Sequence, residues 1–326
     1  MTENTPLLEV KNLNKQFPLR KGMSHRKNQA ITAIDDVSFA VYEGKTIGLV
    51  GESGCGKTTT GKCILSVYPP TSGSIVYRGM NLLDLDGKRR GECRRKIQMI
   101  FQDPYGSLDP RQSVYSIIKE VYAEDGERHR KNEINEKVEE LLETVGLPKE
   151  ISDRYPHEMS GGQRQRIGIA RALACDPELI VCDEPVSALD VSIQAQIINL
   201  FIDLQKAKNL TYVFIAHDIA VVRHIADTIA IMYMGRIMET MNADDIYVNP
   251  LHPYTKALLS AIPVVDFYEE KKRKRIAIEG EVPSAIDRPS GCPFHTRCDR
   301  ATSACKESVA RMAEVGPGHF VACHNV

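Results

Sequence analysis

The sequence of 326 residues contains no tryptophan, and aromatic residues make up only 6% of it. It has no run of the roughly 18 apolar residues that a membrane-spanning helix needs. Its first residues, MTENTPLLEVKN, have neither the basic stretch nor the apolar stretch of a secretory signal. The sequence therefore predicts a soluble protein that is not exported, a state that still allows docking onto membrane proteins.

An excess of charge of either sign is also lacking, since 42 Lys and Arg residues are balanced by 43 Asp and Glu residues. A basic excess would indicate a nucleic-acid partner and an acidic excess would indicate disorder, so neither is expected. The content of 42% hydrophobic and 26% charged residues is typical of globular proteins. The length allows two domains, or one large domain with an appendage.

Strand-like and helix-like segments alternate along most of the chain. TIGLV, LIVCD and YVFIAHD are short apolar runs typical of buried strands, and residues 127–146 have the spacing of an amphipathic helix that ends at Gly146. This alternation predicts an α/β fold with a parallel sheet. The apolar face of the helix is predicted to comprise Ile134, Val138, Leu141, Leu142 and Val145.

The character of the sequence changes near residue 250, where NPLHPYTKALLSAIP brings three prolines. We therefore predict a main domain over residues 1–250 and a small C-terminal extension over residues 251–326. Within the main domain, the helix-rich stretch at about 103–170 is predicted to form a subdomain inserted between two strands of the sheet.

The stretch GESGCGKTT, residues 51–59, matches the phosphate-binding pattern G-x-x-x-x-G-K-[ST] between a predicted strand and a predicted helix. Glycines let successive backbone N–H groups turn towards phosphate oxygens, and the helix N-terminus adds positive potential. Lys57 is suited to the β- and γ-phosphates and Thr58 to Mg²⁺. A chance glycine-rich turn is the alternative, and the strand–loop–helix context argues against it. The predicted nucleotide contacts are Gly51, Glu52, Ser53, Gly54, Cys55, Gly56, Lys57, Thr58 and Thr59.

A second part of the same chemistry is LIVCDEP, residues 179–185, in which an apolar strand ends at two carboxylates. Because side chains alternate along a strand, Asp183 and Glu184 point in different directions. Asp183 suits the Mg²⁺ shell, and Glu184 suits the general base that polarises the attacking water. Taken alone, two acids after a strand more often cap a loop, so the prediction depends on their pairing with Lys57.

MSGGQRQRIGIARAL, residues 159–173, places a Ser-Gly-Gly loop before a helix and so predicts a second phosphate cradle. One ATP needs only one phosphate-binding loop. With these motifs in this order, residues from about 7 to 250 resemble the ATP-binding subunits of ABC transporters, whose signature motif usually has Leu where Met159 stands. The resemblance implies that the signature contacts come from Ser160, Gly161, Gly162 and Gln163.

Further residues take roles that the resemblance implies. Gln102 in FQDP matches the glutamine that touches Mg²⁺ and the attacking water, and His217 in IAHD matches the histidine that contacts the γ-phosphate. SALD, residues 187–190, matches the D-loop. Phe17 stands where the family has an aromatic residue that stacks on adenine, although a buried core phenylalanine would also explain it.

The family's architecture implies that two such ATP-binding domains meet head to tail. Two ATP molecules are then sandwiched, each between one chain's phosphate-binding loop and the other chain's signature. This chain has one motif of each kind, so it is expected to need a partner ATPase. The stretch after Gln102 is where the family receives a coupling helix of the membrane subunits, and Tyr105, Leu108 and Arg111 are candidate contacts.

HPYTKALLSAIP, residues 252–263, and GEVPSAIDRPSGCPFHTRC, residues 280–298, resemble the C-terminal extension of oligopeptide and dipeptide importer ATPases, closest to the second of their two ATPase subunits. The resemblance implies peptide uptake at the cytoplasmic face of the cell membrane. It implies as partners a sister ATPase, two transmembrane permease subunits and an extracytoplasmic substrate-binding protein. Nickel and murein-peptide importers have related extensions and remain alternatives, as does a soluble ABC ATPase of DNA repair or translation.

Four of the nine cysteines, Cys292, Cys298, Cys305 and Cys323, fall in the last 35 positions with the spacing C-x5-C-x6-C-x17-C. Disulfides, a metal site and unrelated thiols are three interpretations, and a reducing compartment disfavours the first. Structural zinc usually has tighter pairs, so the spacing favours a [4Fe–4S] cluster, as does the family resemblance. Three nearby histidines are alternative ligands in place of one cysteine: His295, His319 and His324.

Overall fold

The computed structural model describes residues 5–19, 30–103, 105–123, 131–262, 276 and 278–326. These residues form two compact units. The first unit contains Val41–Thr46 and Asp84–Ala216, and the second contains Thr5–Ala40, Ile47–Leu83 and His217–Val326. The predicted boundary near residue 250 falls inside the second unit.

Three parallel strands lie at the centre of the first unit. β6 (Ile97–Ile100) and β8 (Thr211–Ala216) pair on either side of β7 (Leu179–Asp183). Every residue of β7 and β8 is buried, which is the pattern of a parallel sheet that is covered on both faces. The helices of this unit are α2 (Gly87–Lys96), α3 (Val114–Ala123), α4 (Lys131–Thr144), α5 (Gly161–Leu173) and α6 (Val191–Lys208).

Helices α3, α4 and α5 pack against one another within the stretch that was predicted to be helix-rich. The apolar face predicted for α4 is confirmed, because all five of its residues are buried. The helix is closed by Gly146, whose φ of +70° is the left-handed conformation typical of a residue after a helix. The predicted start at residues 127–130 lies outside the described residues.

The second unit contains an antiparallel sheet with the strand order β2-β1-β4-β5. The edge strand β2 pairs with β1, which in turn pairs antiparallel with β4. The bounds are β1 (Leu8–Pro18), β2 (Ala30–Val41), β4 (Ser72–Tyr77) and β5 (Met80–Asn81).

A second set of strands in this unit positions the phosphate-binding loop. β3 (Thr46–Val50) runs parallel to β9 (Thr228–Tyr233), and β10 (Arg236–Asn242) returns antiparallel beside β9. The chain's last hairpin, β11 (Ala313–Gly316) and β12 (His319–Val321), pairs through β12 with β10. The C-terminal extension is therefore part of this sheet.

The helices of the second unit are short: α1 (Lys57–Ile64), α7 (Ile219–Arg223), α8 (Pro253–Ser260) and α9 (Ser303–Glu307). Within the described part of the chain, no helix combines the length and the apolar character that crossing a membrane requires.

Candidate functional site

The loop between β3 and α1 has the geometry of a phosphate cradle. Gly56, at the N-cap of α1, has a φ of +107°, and a Cβ atom there would lie 2.3 Å from the carbonyl oxygen of Ala33. Only glycine fits such a position. Among the described residues no side chain caps α1, and its first turn holds no acidic residue, so the positive end of the helix dipole is not neutralised there.

Lys57 is folded back over this loop and is buried. Its ammonium Nζ donates to the carbonyl oxygens of Gly51 (2.7 Å) and Glu52 (3.1 Å), and it lies 3.7 Å from Sγ of Cys55. Burial raises the pKa of the Cys55 thiol, and the nearby Lys57 charge offsets part of this rise. The fixed ammonium is the positive charge that the β- and γ-phosphates of a nucleotide require.

The outer part of the loop is open to solvent, since Ser53 and Gly54 are exposed and Thr58 and Thr59 are half-buried. Glu52 behaves differently from the other predicted contacts. Its backbone N–H donates to the hydroxyl of Tyr254 (3.1 Å), and its carboxylate Oε2 lies 2.8 Å from Nη1 of Arg297. Neither partner was predicted as a site residue, although both lie inside the C-terminal stretches that carry the family resemblance.

In the first unit, β7 ends at the predicted pair of carboxylates. Asp183 is buried, whereas Glu184 is half-buried, in agreement with the predicted alternation of their side chains. The N–H of Glu184 donates to the carbonyl of Ile215 in β8, and its φ is +45°, a left-handed conformation that is uncommon outside glycine. Gln102, which follows β6, donates from Nε2 to the carboxylate Oε2 of Glu184 at 2.9 Å. The structure therefore brings these two predicted residues together.

The predicted signature forms the N-terminus of α5. The Ser160 hydroxyl accepts from the N–H of Gln163 (3.3 Å), and the Gln163 side chain accepts from the N–H of Ser160 (3.0 Å), which is a capping box. Gly162 packs against α6, where an added Cβ would lie 2.7 Å from the Ile193 side chain. Ser160 is exposed at this end, and Gly161 beside it is half-buried. The first turn of α5 has no acidic residue to oppose a bound anion.

The other predicted residues are distributed over both units. His217 belongs to the second unit, follows β8 and is exposed. The next residue, Asp218, caps α7 by accepting from the N–H of Ala220. Phe17 is half-buried, with its ring 5.3 Å from the ring of Tyr68, so the alternative of a buried core phenylalanine is wrong.

Of the candidate contacts with a coupling helix, Tyr105 is 64% exposed and Arg111 is also exposed. Leu108 is only 3% exposed, so the expectation that it forms part of the contact surface is wrong. The turn around it is held inward by Arg171, whose Nη1 donates to the carbonyl of Ser107. Its apolar side chain is therefore used for packing within the unit.

The four C-terminal cysteines are neighbours. Burial raises the pKa of Cys292 to about 11, and negative charge on Cys305, Cys323 or Cys298 would raise it further. None of the nine cysteines, all of which lie in the described ranges, is in a disulfide. Among the described residues, however, no three His, Cys, Asp or Glu side chains are spaced to hold a single metal ion. The thiols are thus within electrostatic range of one another.

The three histidines proposed as substitutes for a cysteine have other partners. A ring nitrogen of His295 lies 2.8 Å from the carbonyl oxygen of Cys292, and one of His324 lies 3.0 Å from that of Ser308. His319 bonds to the buried carboxylate of Glu239 at 2.8 Å. Each of these contacts uses one ring nitrogen of the histidine.

Comparisons with known proteins match two regions of the chain. Residues 34–187 match the family model described as "ABC transporter", and residues 238–305 match "Oligopeptide/dipeptide transporter, C-terminal region". The "Oligopeptide transport ATP-binding protein AppF" of Bacillus subtilis is 53% identical over 98% of this chain and 97% of its own. The "Dipeptide transport ATP-binding protein DppF" of Haemophilus influenzae is 48% identical over 99% of this chain and 98% of its own.

Solved structures show the same relationship. The dimeric, post-hydrolysis state of the ATP-binding cassette MJ0796, bound to ADP and Pi, has a TM-score of 0.63 at 28% identity and covers 72% of this chain and 98% of that one. The resemblance inferred from the motifs is confirmed. The chain belongs to the ABC transporter family, among its oligopeptide and dipeptide transport ATP-binding proteins.

Proposed function

We propose that this chain is the ATP-hydrolysing subunit of an importer that carries oligopeptides or dipeptides across the cytoplasmic membrane. The hydrogen bond between Gln102 and Glu184 supports hydrolysis, because it orients a carboxylate at the end of a buried strand. The names of relatives that match nearly the whole chain support the peptide cargo. The match of residues 238–305 to the oligopeptide/dipeptide transporter C-terminal region also supports a peptide cargo.

The predicted residues have complementary tasks in hydrolysis. The loop N–H groups and the Lys57 ammonium bind the β- and γ-phosphates, and Glu184 takes a proton from the attacking water. As the water oxygen bonds to the γ-phosphorus, the bond to the β–γ bridging oxygen breaks and ADP leaves. Bound Mg²⁺ supplies charge neutralisation between these phosphates, and Thr58, Gln102 and Asp183 would hold it. His217 would contact the γ-phosphate.

The signature indicates that ATP is hydrolysed in a pair of ATPases. α5 presents Ser160 and an unopposed helix N-terminus, which suit the phosphates of an ATP bound by another chain. We assign that chain as a sister ATPase, and the remaining partners as two transmembrane permease subunits and an extracytoplasmic substrate-binding protein. The subunit would then lie at the cytoplasmic face of the membrane, with Tyr105 and Arg111 as candidate contacts with the permeases.

We assign the four cysteines as ligands of a [4Fe–4S] cluster. The four cysteines are close enough to influence one another's charge. Their spacing along the chain lacks the tight C-x2-C pairs that structural zinc sites usually have, and this favours the cluster over one zinc ion. Such a cluster would tie together a segment with little core of its own, and it would stabilise thiolates whose pKa is otherwise raised by burial, as at Cys292.

Purification of this subunit from cells that also express its permeases and sister ATPase tests the assignment. The expected result is one membrane-bound complex whose ATP hydrolysis increases when substrate-binding protein and peptide are added. Lys57→Ala should abolish peptide-dependent hydrolysis, while Lys62→Ala, at the other end of the same helix α1, serves as the control. A subunit that never associates with the permeases would contradict the proposal.

A further inference from the structure

The phosphate-binding loop is held from outside by the C-terminal extension, at Glu52. The carboxylate Oε2 of Glu52 lies 2.8 Å from Nη1 of Arg297, and the hydroxyl of Tyr254 accepts from the Glu52 N–H at 3.1 Å. The Arg297 side chain is 8% exposed and that of Glu52 is 25% exposed. An ion pair with this little contact with water is screened much less than a surface pair.

An aromatic cluster fixes the position of Arg297. The rings of Tyr233, Tyr254 and Phe294 lie within about 5 Å of one another, at centroid distances of 4.8, 5.3 and 5.2 Å. Arg297 Nη1 also donates to the hydroxyl of Tyr233 at 3.3 Å. Since these rings are buried, the guanidinium has little freedom to move away from Glu52.

The electrostatic consequence concerns phosphate binding. A carboxylate inside a loop that cradles phosphates repels them, because like charges a few ångströms apart disfavour each other. The guanidinium of Arg297 neutralises this charge and pulls the carboxylate out of the loop. The Nε of Arg297 finds no hydrogen-bond partner among the described residues, so the side chain gives up one hydrogen bond in this orientation.

We propose that Arg297 is a positioning residue for the phosphate-binding loop: by neutralising and orienting Glu52, it lets the C-terminal extension set the affinity of the loop for ATP. This role does not depend on which cargo is carried.

Arg297 lies between two of the four cysteines, so a group bound by the thiols would also influence the position of Arg297. This consequence rests on the proposed cluster. Arg297 lies in a 3-10 turn, His295–Arg297, with Cys292 just before it and Cys298 directly after it. The turn is tied to the cysteine loop by hydrogen bonds from the N–H of Cys292 to the carbonyl of Cys305 and from the N–H of His295 to that of Cys292. A group that holds the thiols would therefore also hold Arg297 against Glu52.

The test is the affinity of the full chain for a fluorescent ATP analogue, measured for wild type, Arg297→Met, Glu52→Gln and the double variant. Arg297→Met should bind ATP about tenfold more weakly, since the half-buried carboxylate of Glu52 then repels the phosphates without a neutralising partner. Glu52→Gln should bind about twofold more tightly. The double variant should recover most of the loss, because the repelling charge is gone.

Arg300→Met is the matched control, since Arg300 belongs to the same cysteine loop but is exposed. It should bind ATP as wild type does. The proposal is overturned if Arg297→Met binds ATP normally, or if its loss of ATP affinity is not recovered when Glu52→Gln is added. If Arg297→Met does not fold, the Glu52→Gln variant alone tests the proposal. Weaker binding of the ATP analogue by Glu52→Gln would contradict the proposed repulsion between Glu52 and the phosphates.

Removal of the metal centre from wild type by a chelator tests the consequence separately. ATP affinity should fall in wild type and stay unchanged in the double variant, which has no ion pair to lose. An equal fall in both would show that the thiol loop does not act through Arg297. If the purified protein contains no metal centre, the proposed cluster is contradicted. The ATP affinities of wild type and the three variants would still test the ion pair between Arg297 and Glu52.

Discussion

The side-chain amide of Gln102 donates a hydrogen bond to the carboxylate of Glu184, with 2.9 Å between Nε2 and Oε2. The two residues are 82 positions apart and follow different strands, β6 and β7, which are parallel neighbours. Because parallel strands end at the same edge of a sheet, their following residues meet there. The base and the residue that orients it are thus placed by the sheet itself.

Replacement of Glu184 by glutamine should slow ATP hydrolysis by about 10²- to 10⁴-fold, because the general base is lost while the side chain keeps its shape. ATP binding should persist, since the phosphate-binding loop is unchanged. Steady-state hydrolysis by the assembled complex, with Glu178→Gln before the other end of β7 as control, measures the effect. A variant that turns over at the wild-type rate would remove Glu184 from this role.

Replacement of Gln102 by alanine should lower hydrolysis by about tenfold, since the Glu184 carboxylate loses the hydrogen bond that orients it. The defect should appear in kcat more than in the affinity for ATP. A change confined to ATP affinity would instead place Gln102 in nucleotide binding alone. Gln98→Ala, earlier on the same segment, is the control, because its side-chain amide donates to backbone carbonyls of α2.

The fold should lose stability in mild acid because of His252. Burial lowers the pKa of this histidine to about 4, and its Nδ1 accepts from the N–H of Tyr254 as the cap of α8. His252 binds a proton less readily in the folded state than in the unfolded state. The stabilisation of the fold by neutral His252 is therefore present above pH 6.5 and is lost as the pH falls towards 4. The free energy of unfolding should be about 2 kcal/mol lower at pH 5 than at pH 7 on this account.

Urea unfolding at the two pH values measures this difference. His252→Asn keeps a side chain that can cap the helix but does not titrate, so its stability should change less between pH 7 and pH 5. An equal pH dependence in the variant would assign the acid sensitivity to other groups. Absence of any difference in wild type would contradict the lowered pKa of His252.

Anaerobically purified protein should contain about four irons and four acid-labile sulfides per chain if the cysteines hold a cluster. Cys298→Ser should lose most of both, whereas Cys175→Ser, a half-buried thiol of the other unit, should keep them. One zinc without sulfide would contradict the cluster and indicate a structural zinc site. Neither metal would indicate four unligated thiols.

Local patterns were sufficient for the parts of the fold that depend on short segments. The apolar spacing of α4 correctly gave its buried face, including Ile134 and Leu142, because helical periodicity depends only on neighbouring residues. The hairpin of β9 and β10 turns at Met234 and Gly235, and both take the left-handed conformations that a tight turn needs.

Contacts between distant segments that no shared motif connects could not be predicted from the sequence. Arg297 and Glu52 are 245 positions apart, and neither stretch of sequence specifies a partner in the other. The burial of Leu108 was missed for the same reason, since it depends on how Arg171 in α5 holds a loop 64 positions earlier. Both the Arg297–Glu52 ion pair and the burial of Leu108 depend on tertiary packing, which local sequence patterns do not specify.

Peptide uptake into proteoliposomes that contain the complete complex tests the central proposal most directly. Labelled oligopeptide should accumulate only with ATP inside, where this subunit is exposed, and with the substrate-binding protein outside. The Glu184→Gln complex should assemble but not accumulate peptide. Accumulation at the wild-type rate with Glu184→Gln, or no peptide transport by a fully assembled wild-type complex that hydrolyses ATP, would contradict the account.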